Sequence, residues 1–149
     1  MIKKWHQIPI FSYWYDIQQI MSKGGKLPLR AIHQDGGRQS GKTDSATLFI
    51  GETGNCLYRQ DTFDPVSCEF IFIRNSKDNM YESMKECDNV FQHNPDIEYE
   101  MVKSEKVIRF KTGNQIRFYF TDTHNRITGL SISNADYIFI VYEEAYEII

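Results

Sequence analysis

Gly36-Gly37-Arg38-Gln39-Ser40-Gly41-Lys42-Thr43 is a complete G-x-x-x-x-G-K-[ST] octapeptide, and the fold turns on how it is read. Gly36 and Gly41 carry no Cβ, so the backbone can turn tightly and let successive N–H groups converge on a phosphate at the positive end of the following helix. In that setting Lys42 reaches β- and γ-phosphate oxygens, and the Thr43 hydroxyl completes a Mg2+ shell. The motif predicts a nucleoside triphosphate with Mg2+ on residues 36–43. Just upstream, Leu27-Pro28-Leu29-Arg30-Ala31-Ile32-His33 reads as a short strand feeding the loop. Just downstream, Ser45-Ala46-Thr47-Leu48-Phe49-Ile50 opens a helix behind it. This is the strand, loop, helix setting that the motif needs. The competing reading is a glycine-rich surface turn that happens to contain lysine.

A second motif lies far downstream. Ile138-Phe139-Ile140-Val141-Tyr142 is a continuous apolar run ending in Glu143-Glu144, the form of a buried parallel strand that delivers carboxylates to its carboxyl end. Such a pair suits phosphate-loop chemistry. One carboxylate helps to hold Mg2+, usually through its waters, and the other orients or deprotonates an attacking water.

In order and spacing the signals resemble the large terminase subunit of tailed phages, the motor that packages DNA into capsids. The matching residues are the loop G-G-R-x-S-G-K-T, the strand Phe70-Ile71-Phe72-Ile73-Arg74, a helix containing Ser83, and Ile116-Arg117-Phe118 with Thr121-Asp122 beyond it. Arg126-Ile127-Thr128-Gly129-Leu130 and Tyr142-Glu143-Glu144-Ala145 complete the set. The resemblance runs from about residue 27 to the end and implies an ATPase domain whose cofactors are ATP and Mg2+. It implies that Gly36 to Thr43 bind the nucleotide, that Thr43 and Glu143 serve the metal, and that Glu144 is the catalytic carboxylate. Arg38, inside the loop, would sense or stabilise the γ-phosphate, a charge that suits a guanidinium; its alternative is a solvated loop cation. The first acid is Glu where phosphate-loop enzymes generally have Asp, so the two glutamates can exchange roles. Double-stranded DNA, the portal and the small terminase subunit are the partners implied.

Members of that family continue past the acidic strand with a coupling motif, further strands, a linker and a metal-dependent nuclease domain. The expectation here is a partial ATPase domain over 1–149, with an N-terminal helical segment over 1–26, a nucleotide-binding core over 27–149 and no nuclease domain. In related ATPases the next strand lies between the acidic strand and the loop strand, so an unfilled slot is expected there. A second chain supplying the strands, or a split or truncated gene, would account for it. The expected fold is an α/β phosphate-loop NTPase core of the ASCE type: three layers, a mainly parallel sheet and an inserted hairpin, incomplete at the carboxyl end.

Composition is compatible with this. A chain of 149 residues with 41% hydrophobic and 25% charged residues can bury a core and is neither disordered nor fibrous. A net charge of −3 supplies no global attraction to DNA, so any contact with nucleic acid must be local. Cys56, Cys68 and Cys87 form no CxxC pair, and His6, His33, His93 and His124 show no metal-ligand spacing. Three reduced, buried thiols in the cytoplasm of a host cell are the expectation. No apolar stretch reaches the length of a membrane span, and no signal-peptide core follows Met1.

Phe11, Trp14, Tyr15, Gln18 and Met21 recur at helical spacing and stop near Gly24-Gly25, an amphipathic helix whose aromatics enter the core or, in one case, stack on adenine. Residues 76–92 read as a second helix capped by Ser76 and ended by Asn94-Pro95, with Met80, Ser83, Met84, Cys87 and Phe91 inward. Ser83 reads as a small residue packed on the sheet, with a polar contact as its alternative. Val107-Ile108-Arg109-Phe110-Lys111 and Ile116-Arg117-Phe118-Tyr119-Phe120 alternate around Thr112-Gly113-Asn114-Gln115 as a hairpin with Ile108, Phe110, Ile116, Phe118 and Phe120 inward. Its outer face carries Arg109, Lys111, Arg117 and Tyr119, which form either a solvated strand face or a grip on a DNA backbone. Arg126 and Gly129, in the polar stretch 121–136, are candidates for contact with nucleotide or DNA.

Overall fold

The computed structural model describes residues 8–27, 42–121 and 134–142, with side chains from Trp14 and Ala46 onwards in the first two helices. The elements are α1 (Ile8–Ser22), α2 (Lys42–Cys56), β1 (Cys68–Arg74), α3 (Lys77–Gln92), β2 (Tyr99–Val102), β3 (Val107–Phe110), β4 (Gln115–Phe120) and β5 (Tyr137–Tyr142). A 3-10 turn, Lys103–Glu105, separates β2 from β3. The five strands form one sheet in the order β2-β3-β4-β1-β5.

The chain is α/β, as its pattern predicts, and its five described strands form a mixed sheet, part parallel and part antiparallel. β1 runs parallel to β4 and to β5, while β2 with β3 and β3 with β4 are antiparallel. Short connections explain the antiparallel half: a 3-10 turn and a four-residue turn can reverse a chain, whereas a parallel pair needs a long crossover. β2, Tyr-Glu-Met-Val, has no counterpart in the sequence reading. It is short and half-exposed, with no clean alternation to reveal it.

β1 occupies the centre and is buried along its whole length. Phe70 and Phe72 point to one face, in register with Ile116 and Phe118 of β4 and with Phe139 and Val141 of β5. All three helices cover that face. Trp14, Ile17 and Met21 of α1, Leu48 to Ile50 of α2, and Met80, Met84, Cys87 and Phe91 of α3 join these strand residues in one core. Ring contacts run through it: Trp14 stacks on Phe49 at 4.6 Å, Phe49 meets Phe139 edge-on at 5.6 Å, and Phe139 stacks on Phe70 at 5.3 Å. Among the described residues the helices form a single layer, so two layers are seen where three are expected.

The helix readings hold in most respects. Ser76 caps α3, its Oγ accepting from the Asn79 N–H at 3.1 Å, and the five residues predicted inward are its buried ones. α1 stops as predicted at Gly24, whose φ of +73° a residue with a Cβ reaches only with strain. Its inward stripe is corrected at one position. Tyr15 is 59% exposed, and Ile17 is buried instead, because Trp14, Ile17 and Met21 form the i, i+3, i+7 row while Tyr15 lies about 100° round the helix. Gly51 and Gly54 weaken α2 as a helix, but a Cβ at Gly54 would stand 2.5 Å from the Phe110 ring, and one at Gly51 would stand 2.6 Å from Phe91. These glycines let α2 approach β3 and α3 closely.

β5 departs from expectation in burial. It is parallel to β1, but Ile138, Ile140 and Tyr142 are 41%, 58% and 56% exposed. They lie on the face opposite the helices, so an unbroken apolar run here marks one covered face rather than two.

A polar clamp ties these elements together. Asn114 Nδ2 donates to the Gly54 and Val66 carbonyls at 3.0 and 2.8 Å, and its Oδ1 accepts from the Cys68 N–H at 3.1 Å. Thr112 Oγ1 also donates to the Gly54 carbonyl. Asn114→Ala would leave buried backbone groups unpaired, at about 1–3 kcal/mol for each group that water cannot reach. We expect the variant to lose about 2–4 kcal/mol in urea denaturation, with α1 and α2 still helical by circular dichroism at low urea.

Candidate functional site

Of the residues expected to form the site, Gly36, Gly37, Arg38, Gln39, Ser40, Gly41, Glu143 and Glu144 lie outside the described residues. So do the strand expected over 28–33 and the Arg126 segment. Lys42 and Thr43 are the first two residues of α2, as the motif requires, and only their backbone is described.

The direction of α2 decides where its amino end points. Its last turn lies at the amino edge of the parallel strands: the Gly54 carbonyl is held by Asn114, which precedes β4, and the Thr53 carbonyl is 4.0 Å from Cys68 Sγ, at the start of β1. Midway, Phe49 packs on Phe139 in the middle of β5. α2 therefore runs antiparallel to β1, β4 and β5. From Phe49 back to Lys42 is seven residues, about 10 Å of helix; from Phe139 on to Tyr142 is three, about 10 Å of strand. The helix amino end and the carboxyl end of β5 come to similar heights, and Glu143 and Glu144 follow Tyr142 directly in the chain. An amino terminus of this kind offers unpaired N–H groups and a partial positive charge to an anion.

At the same carboxyl edge, Arg74 ends β1 and is only 3% exposed. Its Nη1 donates to Ser83 Oγ at 2.5 Å, so Ser83 is a buried polar partner as well as a small packing residue. The Arg74 carbonyl accepts from the Thr121 N–H at 2.9 Å. Arg74 thereby locks the β1–α3 connection where the parallel strands end. The sequence marks it only as the last residue of an apolar strand; a charge at the end of a fully buried strand is the signal that could have exposed it.

The hairpin forms as expected, with Ile108, Phe110, Ile116 and Phe118 buried and Phe120 partly so. Its outer face is charge-compensated. Arg109 pairs with Glu105 at 2.6 Å, Lys111 with Glu98 at 3.7 Å, and Arg117 with the buried carboxylate of Glu69. Arg117 Nη1 also donates to Tyr119 Oη at 2.8 Å. Arg117 is thus part of the sheet's interior electrostatics, which alternation alone does not reveal because its partner lies on β1.

Two surface clefts are lined by described residues. One, of about 370 Å3, is beside the hairpin at Lys106, Arg117 and Phe120. The other, of about 510 Å3, is at Gly24, Arg59 and Tyr137, toward the start of β5. No helix among the described residues is long and apolar enough to cross a membrane.

The thiols follow expectation at two positions of three. Cys68 and Cys87 are buried, while Cys56 is exposed at the end of α2. Burial pushes the Cys68 thiol up from 9.0 to about 12. Burial, and then the hydrogen bond that Tyr99 Oη donates to Asp88 at 2.6 Å, push the Tyr99 phenol upward as well.

No family model matches the chain, and no similar protein or solved structure was found.

Two predictions follow from these environments. Cys68 and Tyr99 are neutral when protonated and hold their protons more tightly when folded. Their contribution to stability is complete below the unfolded values of 9.0 and 10.0 and is lost as pH rises. The melting temperature should be level from about pH 7 to 9 and fall steadily towards about pH 12, with a shallower fall in Cys68→Ala. Separately, Arg117→Ala strands the Glu69 carboxylate and should cost about 3–5 kcal/mol. Arg109→Ala breaks an exposed pair and should cost less than about 1 kcal/mol, both read by urea denaturation.

Proposed function

We propose that this chain is the ATP-binding part of a DNA-packaging motor of the kind the terminase large subunit represents, a phosphate-loop ATPase acting in the host cytoplasm. The observation that carries the reading is the placement of Lys42 and Thr43. The G-x-x-x-x-G-K-T sequence runs directly into the amino terminus of α2, and α2 lies antiparallel to β5, whose carboxyl end leads into Glu143-Glu144. A phosphate loop needs that pairing of a helix amino end with acidic residues at a strand end.

The fit of ATP and Mg2+ rests on this edge and on the chemistry of its donors. When bound, Mg2+·ATP supplies a γ-phosphoryl group that can pass to water. Backbone N–H groups of residues 36–43 would hold phosphate oxygens, and Lys42 would add a charge-assisted contact. Thr43 and Glu143 would serve the metal side, Glu144 would orient water, and Arg38 would offset negative charge at the γ-phosphate. DNA, the portal and a small subunit are the partners of this reading.

A second reading, a nucleotide-binding module completed by another chain, is favoured by one observation. β5 is the last strand in the order on its side among the described strands, and it exposes Ile138, Ile140 and Tyr142. A stand-alone DNA grip by the hairpin is disfavoured by the carboxylates that neutralise its three cations.

The test is a thermal melt with and without a non-hydrolysable ATP analogue and Mg2+, together with a phosphate-release assay. Ligand at about 100 times its dissociation constant should stabilise the folded chain by about 2.7 kcal/mol, several degrees in Tm. Lys42→Ala should abolish the shift, and Glu144→Gln should keep it while hydrolysis stops. A parent shift without phosphate release would select the second reading. Unchanged nucleotide affinity in Lys42→Ala would overturn both.

A further inference from the structure

β4 outruns its neighbour β3. The last paired residues are Arg117 and Val107; beyond them the chain has already turned away through Lys103–Glu105 and Lys106, while β4 continues along β1 as far as Phe120. Alternation shows which way the backbone of β4 points there. The Thr121 N–H donates to the Arg74 carbonyl on β1, whereas the Phe118 N–H donates to the other side, to the Lys106 carbonyl at 3.0 Å. Phe120, two residues on from Phe118, therefore also turns its N–H away from β1, past the point where β3 could accept it. That N–H faces the cleft of about 370 Å3 whose charged walls are Glu105, Lys106 and Arg117.

The cleft keeps a cation. Glu105 is held by Arg109 and Arg117 by Glu69, so Lys106 is the charge on its walls that no described carboxylate takes. Lys106 Nζ lies 5.9 Å from the centre of the Phe120 ring, and Lys103 Nζ lies 5.4 Å from that of Tyr81 on α3. Each ammonium is thus steadied by an aromatic face, which leaves its N–H donors open to a ligand. Further out, Lys77 and Lys85 cancel Asp78 and Glu82 around Tyr81, and Glu100, opposite Arg109 on β2, offsets one of the two lysines. A net positive charge remains at the mouth of the cleft. An ammonium and a backbone donor at one opening suit an oxyanion, and a tetrahedral phosphate presents oxygens to donors on two sides more readily than a planar carboxylate does.

We propose that the notch beside the end of β4 binds a phosphate group, with the Lys106 ammonium and the Phe120 N–H as its donors and Lys103 at the entrance. The group can belong to a small phosphate compound or to a nucleic-acid backbone, since the contact chemistry is the same. The notch lies on the β4 side of β1, whereas the residues of the nucleotide reading gather on the β5 side. The proposal therefore stands apart from that reading.

The test is made in Lys42→Ala, so that the phosphate loop cannot report. Inorganic phosphate is compared with chloride at equal ionic strength, and the melting temperature is followed. We expect phosphate to raise it, and the rise to vanish when Lys106→Gly is added. Glycine is chosen because Lys106 has φ of +58°, a conformation that glycine adopts freely, so the added change should not lower the melting temperature without phosphate. By calorimetry Lys106→Gly should weaken phosphate about 10-fold, the loss expected of one charge-assisted bond, whereas Arg109→Gln, whose guanidinium is already engaged by Glu105, should leave it within about twofold. A short fluorescein-labelled DNA, single-stranded and duplex, forms the second arm. DNA binding that phosphate displaces and Lys106→Gly weakens supports the site with a nucleic-acid backbone as its source; phosphate binding without DNA binding supports it with a small phosphate compound. No phosphate shift in Lys42→Ala, a shift that survives Lys106→Gly, or a Lys106→Gly chain that already melts lower without phosphate would each overturn the proposal.

Discussion

The buried amide of Asn114 is the contact on which the remaining geometry depends. In one residue it satisfies carbonyls from the end of α2 and from the segment before β1, and it accepts the first N–H of β1. Those groups lie where backbone must leave a helix, cross to the sheet and enter a fully buried central strand, and no regular ladder can pair them. An amide suits the position because it offers donors and an acceptor on one short planar side chain. By holding the carboxyl end of α2 to the amino edge of the sheet, it also sets the direction of the helix. The elements of the candidate site inherit their placement from this anchor more than ten residues away.

Once α2 is anchored, its packing sets how close it can lie. The glycines at 51 and 54 let the helix approach Phe91 and Phe110 at distances that a methyl group would forbid, and the chain of rings from Trp14 through Phe49 and Phe139 to Phe70 joins α1, α2, β5 and β1 in sequence. The helix therefore loses intrinsic propensity and gains contact. The same packing gives the sheet its asymmetry: one face meets three helices, whereas the other carries the Glu69–Arg117 pair and the exposed half of β5.

Charge in this protein is settled locally. Arg74 is used by Ser83, Arg117 by Glu69, Arg109 by Glu105 and Arg59 by Asp61. A chain whose described arginines are each engaged within it gains no broad positive field, in keeping with its net charge of −3.

The sequence by itself determined what local periodicity and local chemistry control. The α3 face, its Ser76 cap, the glycine stop of α1, the β3–β4 hairpin and the parallel strand at 137–142 were all legible because each signal is contained within a few turns or one alternation. The Gly36–Thr43 octapeptide is a motif in the sequence, and of it the structure describes only Lys42 and Thr43, at the start of α2. Tertiary structure alone decided the rest. It made the sheet mixed, exposed Tyr15 and half of β5, bound Arg117 to Glu69 and Ser83 to Arg74, and directed the amino end of α2 toward the carboxyl edge. Each of these depends on residues distant in sequence, and burial of a side chain is a property of what packs against it, which composition and spacing along one segment do not encode.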